Sequence, residues 1–156
     1  MAVEIERKYL VVHDQLPPLK KGELIFQSYI PTANNSTVRI RLCGTQAYLT
    51  LKGPTHGISR AEFEYPIPAT DAHEMLTRLC APGAIEKHRY KVLHDGMVWE
   101  IDVFEGVNKG LIIAEIELSS ETQRFTLPPW IGAEVSADSR YSNQALMKSP
   151  WPKWGR

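Results

Sequence analysis

Cysteine is scarce: Cys43 and Cys80 are the only two in 156 residues. Neither sits in a Cys-x-x-Cys pair or has a histidine at zinc-ligand spacing, which argues against a structural zinc site. Two cysteines so far apart read as free thiols of a reducing compartment, with one disulfide as the alternative. No apolar run approaches the roughly 20 residues of a membrane span. The opening Met1-Ala2-Val3-Glu4-Ile5-Glu6-Arg7-Lys8 is charged from the start and lacks the apolar stretch of a secretory leader. There is no surplus of either charge, since 18 Lys and Arg face 18 Asp and Glu. Non-specific binding to nucleic acid needs a positive excess that is missing here. Internal repeats and low-complexity segments are also missing. A hydrophobic content of 43% excludes a disordered chain, and this length buries a core without disulfides or metals as staples. These absences leave one cytoplasmic domain with neither a membrane nor a nucleic-acid partner.

The sequence reads mostly as strands, at 2–11, 23–30, 37–43, 46–52, 58–67, 84–93, 97–105, 111–119 and 122–127. Asp95-Gly96 and Gly44-Thr45 each separate two alternating runs, which is the signature of a hairpin. One helix is predicted after Asp71 as N-cap, with Glu74 three residues on and Ala72, Met75, Leu76 and Leu79 on its inner face. A second is predicted over 139–148, with Tyr141, Ala145 and Leu146 turned inward. The chain then closes with Pro150-Trp151-Pro152-Lys153-Trp154-Gly155-Arg156, a proline- and tryptophan-rich tail after a domain over 1–149. Eight or so strands with two helices make a mainly β (α+β) chain, and closure into a barrel removes the exposed edges.

Residues i and i+2 of a strand share a face. Seven of the predicted strands carry a charged face, and within most of them the charges cluster by sign. Glu4, Glu6 and Lys8 stand opposite Val3 and Ile5, and Arg39 and Arg41 opposite Val38, Ile40 and Leu42. Lys52 follows Thr50, and Glu62 and Glu64 follow Arg60. Lys87, Arg89 and Lys91 share one face; Glu100 and Asp102 share another, opposite Trp99, Ile101 and Val103; Glu115 and Glu117 stand opposite Ala114, Ile116 and Leu118. A solvated face would explain any one of these. Repeated on six strands, like charges about 7 Å apart point to a ligand that answers both signs. Inside a barrel, rows of Lys and Arg beside rows of carboxylates suit a polyanion and a divalent metal. Arg presents a fork to phosphate oxygens, and carboxylate oxygens are hard ligands for Mg2+ or Mn2+.

Glu4-Ile5-Glu6-Arg7-Lys8 is an ExExK opening, and it resembles that of the CYTH, or triphosphate tunnel metalloenzyme, superfamily. The motifs that follow occur in the family's order over nearly the whole chain. They are Val38-Arg39-Ile40-Arg41, Thr50-Leu51-Lys52-Gly53, Arg60-Ala61-Glu62-Phe63-Glu64, Glu86-Lys87-His88-Arg89-Tyr90, Trp99-Glu100-Ile101-Asp102, Ala114-Glu115-Ile116-Glu117 and Asp138-Ser139-Arg140-Tyr141-Ser142-Asn143. The resemblance implies an antiparallel barrel of about eight strands around a charged tunnel, with a few flanking helices, that acts on triphosphates with Mg2+ or Mn2+. Glu4, Glu6, Glu115 and Glu117 would be the main metal ligands, and Glu62, Glu64, Glu100 and Asp102 would serve a second metal or its waters. Lys8, Arg39, Arg41, Lys52, Lys87 and Arg89 would grip the phosphates, and Arg140 would reach in from the tunnel mouth. Tyr29 matches a tyrosine that small bacterial members pair with the ExExK lysine, here Lys8. It is read either as a proton acceptor or as a packing residue.

The expected activity is cleavage of inorganic tripolyphosphate to pyrophosphate and phosphate. The alternatives are an adenylyl cyclase or thiamine triphosphatase in the same site, or a polyphosphate-binding protein without turnover. A homodimer is also expected from the resemblance, with the tryptophan-rich tail as one means of forming it. Trp99 and Trp130 are read as core, Arg7 as surface, and His56, His73, His88 and His94 as incidental. Arg60 and Lys91 are read as either tunnel residues or outer partners.

Overall fold

A strand with charges on one face and Val, Ile or Leu on the other needs a core against one side and water or a ligand against the other. The computed structural model, which describes residues 2–155, meets both needs with a closed barrel. The described strands are β1 (Val3–Val11), β2 (Glu23–Ile30), β3 (Thr37–Cys43), β4 (Gln46–Lys52), β5 (Ser59–Ile67), β6 (Ile85–His94), β7 (Met97–Phe104), β8 (Ile112–Glu117) and β9 (Ile131–Glu134). The helices are α1 (Ala69–Arg78) and α2 (Asn143–Lys148). The sheet order is β5-β4-β3-β2-β6-β7-β8-β1-β9, and a further pairing of β1 with β5 closes a ring of eight antiparallel strands. The expected hairpins are present: Asp95 and Gly96 both take positive φ (50° and 78°) and bring His94 opposite Met97.

β1 is the seam of this ring. One edge pairs with β8 through Glu6–Leu10. The other edge is divided. Val3–Ile5 pair with β5, Tyr9 and Val11 pair with β9, and between them the Lys8 amide is held by the Ser136 hydroxyl at 2.9 Å.

The apolar cores lie mostly outside the barrel wall. Tyr9, Trp99, Ile101, Ala114, Ile116, Leu118 and Trp130 form one on the outer face of β1, β7 and β8, with Phe125 packed against it. Trp99 is fully buried and meets Tyr9, Phe125 and Trp130 edge-on, at centroid distances of 5.7, 5.8 and 5.7 Å. A second core packs α1 against Ile40 and Ala47 of β3 and β4 through the fully buried Ala72. At one end of the barrel the inward positions themselves turn apolar: Ile85, Phe104 and Ile113 gather with Leu146 of α2 and Tyr141. That end is closed by α2, because an apolar lumen rim must be covered.

Three expectations need correction. Segment 122–127 forms no strand. Both edges of β8 are already taken by β7 and β1, so this stretch crosses the outside of the wall and lays Phe125 on Trp99. The free half-edge of β1 is filled instead by β9, a four-residue strand that carries little periodic signal. α1 begins at Ala69 after Pro68, so Asp71 lies in the first turn, where it complements the helix dipole, and does not cap; Leu79 ends the helix exposed. The helix expected over 139–148 is divided: a 3-10 turn at Ser139–Tyr141 precedes α2, whose first turn is capped by Ser142 accepting from the Ala145 amide.

Residues 150–155 fold back on the chain; Arg156 lies outside the described residues. The Asn108 side chain donates to the Leu146 carbonyl and accepts from the Trp151 amide, tying the tail to α2 (3.1 and 2.8 Å). The Trp154 ring stands edge-on to Tyr141 at 5.1 Å. Both cysteines are free. Among the described residues no helix is long and apolar enough to cross a membrane.

Candidate functional site

The lumen holds a cavity of about 420 Å³. Seven carboxylates line it (Glu4, Glu6, Glu62, Glu64, Glu100, Glu115, Glu117), and so do seven cations (Lys8, Arg39, Arg41, Lys52, Arg60, Lys87, Arg89). They arrive there by alternation alone, from β1, β3 to β5 and β6 to β8, since every second side chain of a closed barrel points inward. Tyr29 joins them from β2, and Ser142, Asn143 and Gln144 close one end. Toward the other mouth the lumen continues into a space lined by Arg41, Tyr48, Glu64, Arg89, Lys91 and Glu100.

Within the lumen the charges are cross-paired. Lys52 Nζ lies 3.0 Å from Glu4 and 3.3 Å from Glu62. Arg39 donates to Thr50 and Glu64, both at 3.2 Å, while its Nε is buried with no partner among the described residues. Arg89 grips Asp102 in a two-pronged bond (2.8 and 2.9 Å) and reaches Glu100 at 3.3 Å and Glu115 at 3.7 Å. Lys87, fully buried, donates to Asp102 and to the Asn143 amide oxygen, each at 2.8 Å. Lys8 donates to the Tyr141 carbonyl at 3.3 Å and stands 3.9 Å from Glu115. Arg41 donates to Gln27, which donates to the Tyr29 hydroxyl (2.7 and 3.0 Å).

Burial and these neighbours separate the acids into two groups. Burial raises Glu6 well above the ordinary glutamate range, helped by the charges of Glu115 and Glu4. Burial, with the adjoining Glu4, lifts Glu62 to about 7. Burial also works against Glu115, but Lys8, Arg89 and Lys87 together outweigh it, and the carboxyl falls to about 2. Asp102 is likewise held far below the ordinary range, because Lys87 and Arg89 overcome its burial. On the cationic side, burial pulls Arg41 down to about 10 and Lys87 down to about 8.

A pH dependence follows. Glu62 binds its proton more tightly folded than unfolded, so its contribution to stability is present below its ordinary value of 4.5 and is lost as pH rises through about 7. Glu115 and Asp102 act in the opposite sense: their contribution is present above their ordinary values and is lost as pH falls below them. The metal-free protein is expected to be most stable in mildly acid solution. A divalent cation must displace the retained protons, so it should raise Tm more at pH 8 than at pH 5. Calorimetry in EDTA and in excess Mg2+ at both pH values checks this; an equal rise at both would contradict it.

Fourteen of the expected site residues line this cavity: Glu4, Glu6, Lys8, Tyr29, Arg39, Arg41, Lys52, Glu62, Glu64, Lys87, Arg89, Glu100, Glu115 and Glu117. Two do not. Asp102 sits beneath the wall, with both oxygens taken by Arg89 and Lys87, so it orients cations and faces no ligand. Arg140 does not reach into the tunnel: it pairs with Asp138 at 2.7 Å, lies over the Trp154 ring at 4.6 Å, and its side chain is 60% exposed. The hydroxyl of Tyr29 is held by Gln27, and Lys8 is engaged by Tyr141 and Glu115. Arg60 proves to be a lumen residue, and Lys91 stands at the open mouth. The sequence reading missed Gln27, Asn143 and Gln144. Gln27 is two residues before Tyr29 on the same face, a signal that alternation offered; Asn143 stands in the last motif of the resemblance, where it was given no role.

No three of the described Asp, Glu, His or Cys side chains are gathered at metal-holding distance as they stand. The donor set nonetheless fits a hard divalent cation: it is all carboxylate, it converges on one cavity, and it holds its charges only with the help of Lys52, Lys8 and retained protons.

Comparison with known proteins agrees with this geometry. An inorganic triphosphatase of Acetivibrio thermocellus is 48% identical over 151 residues, which cover 97% of both chains. An inorganic triphosphatase of Nitrosomonas europaea is 41% identical over 154 residues, covering 94% of this chain and 97% of the relative. The crystal structure of the inorganic triphosphatase NE1496 aligns with a TM-score of 0.67 at 38% identity, over 96% of this chain and 97% of that one. The CYTH domain matches residues 2–148, the eight-stranded ring with its closing helix, and the chain belongs to the CYTH domain family.

Proposed function

We propose that this chain hydrolyses inorganic tripolyphosphate to pyrophosphate and orthophosphate in the barrel lumen, with Mg2+ or Mn2+. One observation carries the reading: seven cations and seven carboxylates share a single cavity. A lumen with equal numbers of both signs suits a polyanion that arrives with its metal better than a bare polyanion. The named activity of the two relatives, each matched over nearly its whole length, points the same way.

Glu4, Glu6, Glu115 and Glu117 would hold the metal, and Glu62, Glu64 and Glu100 would serve a second one or its waters. When bound, it supplies charge neutralisation of the phosphates and a more acidic attacking water. The rest of the work belongs to the chain's own groups. Lys8, Arg39, Arg41, Lys52, Lys87 and Arg89 fix the phosphate oxygens and neutralise the charge that develops on the transferred group. Asp102 and Asn143 hold Lys87, and Asp102 holds Arg89, so these cations need little reorganisation. The water oxygen attacks the terminal phosphorus as the bridging P–O bond breaks and pyrophosphate leaves, and Tyr29, in its phenolate form, takes the water's proton at its Oη. The cytoplasm suits two free thiols and a phosphorylated small-molecule substrate.

The assay is phosphate release from tripolyphosphate, ATP and thiamine triphosphate, each with Mg2+, Mn2+ or EDTA. Fast metal-dependent cleavage of tripolyphosphate with little from the others is expected. Preference for ATP or thiamine triphosphate would transfer the assignment to an organic substrate. Tight binding without turnover would leave a polyphosphate-binding protein. Arg41→Ala is expected to raise KM for tripolyphosphate about 10- to 100-fold, the worth of a charged hydrogen bond, with a smaller change in kcat. Initial rates over a range of substrate concentration check it; an unchanged KM would remove Arg41 from the phosphate grip. The proposed homodimer is read by light scattering of the full chain, where a monomer mass would end it.

A further inference from the structure

Tyr29 is tied to the phosphate-gripping cations through a residue that the proposed chemistry has not used. Gln27 is completely buried in β2, and the β2–β3 ladder sets it directly opposite Arg41. Arg41 Nε donates to its amide oxygen at 2.7 Å. A guanidinium can only donate, so the oxygen of Gln27 must face Arg41 and its NH2 must face Tyr29. The hydroxyl oxygen of Tyr29 therefore accepts from Gln27, at 3.0 Å. No side chain among the described residues accepts the phenol's own proton. The three groups form a chain of donors that all point one way, from Arg41 through Gln27 to Tyr29, and each bond polarises the next.

We propose that Gln27 is a positioning residue that fixes the Tyr29 hydroxyl as an acceptor facing the lumen and links it to the phosphate grip of Arg41. The inference rests on the reading of Tyr29 as the proton acceptor. The amide confines the ring, whose lumen-facing edge must meet the attacking water. Arg41 keeps its Nε on Gln27 and has its two terminal nitrogens left for phosphate. Substrate that fixes the guanidinium thereby fixes the amide and, through it, the phenol.

The test separates action through Tyr29 from action through Arg41. Gln27→Glu keeps an acceptor for Arg41 but removes the donor to Tyr29, and its carboxylate draws the phenol's proton to itself. Gln27→Met, of similar length, removes both bonds. Each is made in the natural chain and in Tyr29→Phe, with kcat and KM measured on tripolyphosphate at saturating Mg2+ and Tm recorded to confirm folding. Both Gln27 variants are expected to lower kcat about 10-fold in the natural chain, within the range of coupling between residues of one network, and to leave kcat unchanged in the Tyr29→Phe background. The added charge of Gln27→Glu raises KM as well, which is why kcat is the readout. Several results would overturn the proposal. One is kcat unaffected by either variant, or lowered by Gln27→Met alone, which would assign the residue to Arg41. Another is an equal loss of kcat with and without Tyr29. Natural kinetics in Tyr29→Phe itself would remove the tyrosine reading and this inference together, while tripolyphosphate hydrolysis would stand. Should Gln27→Met unfold, the cycle with Gln27→Glu alone decides.

Discussion

Glu115→Gln is expected to abolish turnover while leaving the shape of the site intact. Glu115 is the buried acid at which the two sets of charges meet: Lys8 lies at 3.9 Å, Arg89 at 3.7 Å, and both cations hold it ionised. An amide has nearly the same size but is a far poorer ligand for a hard divalent ion. Disturbing even the outer partners of a metal site costs about 10- to 100-fold, so losing a ligand should lower kcat/KM by at least about 100-fold. The decisive measurement is a titration of activity with Mg2+ and Mn2+, accompanied by direct Mn2+ binding. Half-saturation should move to much higher metal concentration. Full activity at low metal would show that Glu115 is no ligand.

Asp102→Asn should fail in a different way. Its carboxylate is fully buried and receives three hydrogen bonds from Arg89 and Lys87. Removing one partner of a buried ion cluster leaves the others uncompensated, at a cost of about 3–5 kcal/mol. Urea unfolding of the metal-free protein should show most of that loss. Tripolyphosphate, which brings its own negative charge to the same cations, should restore part of it. KM should rise as Lys87 and Arg89 lose their anchor, with the metal concentration for half-activity unchanged. The opposite pattern, natural stability with weakened metal binding, would return Asp102 to the ligand set that its strand position suggested.

Asp102 and Arg140 also show where the sequence stops informing. Alternation states which face a side chain takes, and that was enough to bring thirteen of the expected residues into one cavity, with Tyr29 supplied by the resemblance. It does not state depth. Glu100 and Asp102 share an inward face, yet the shorter Asp102 is covered by the two cations it holds while Glu100 reaches the lumen. Arg140 lies on a 3-10 turn, where neither strand nor helix periodicity applies, and its direction is decided by Asp138 and Trp154. The role of Asn143 is hidden for a related reason: its contact with Lys87 spans elements far apart in the chain, and no local pattern records it. The fold itself was more legible. Closed antiparallel strands with turns at Gly44 and Asp95-Gly96 follow from local signals, whereas β9 and the coil before it depend on which half-edge of β1 is vacant.

That vacancy has a consequence in time. β1 carries Glu4, Glu6 and Lys8, and its partners lie in β5, β8 and β9. During synthesis this segment is made before all of its partners, and its earliest neighbour, Ser59–Ala61, emerges more than fifty residues later. Its main neighbour ends at Glu117. Until then Val3, Ile5 and Tyr9 face water on an unpaired edge, and closing so long a loop is slow. The meander from β2 to β5 can assemble without them, and so can the β6–β7 hairpin. This segment is therefore paired late, and the cavity that its charges line is complete only when the ring closes.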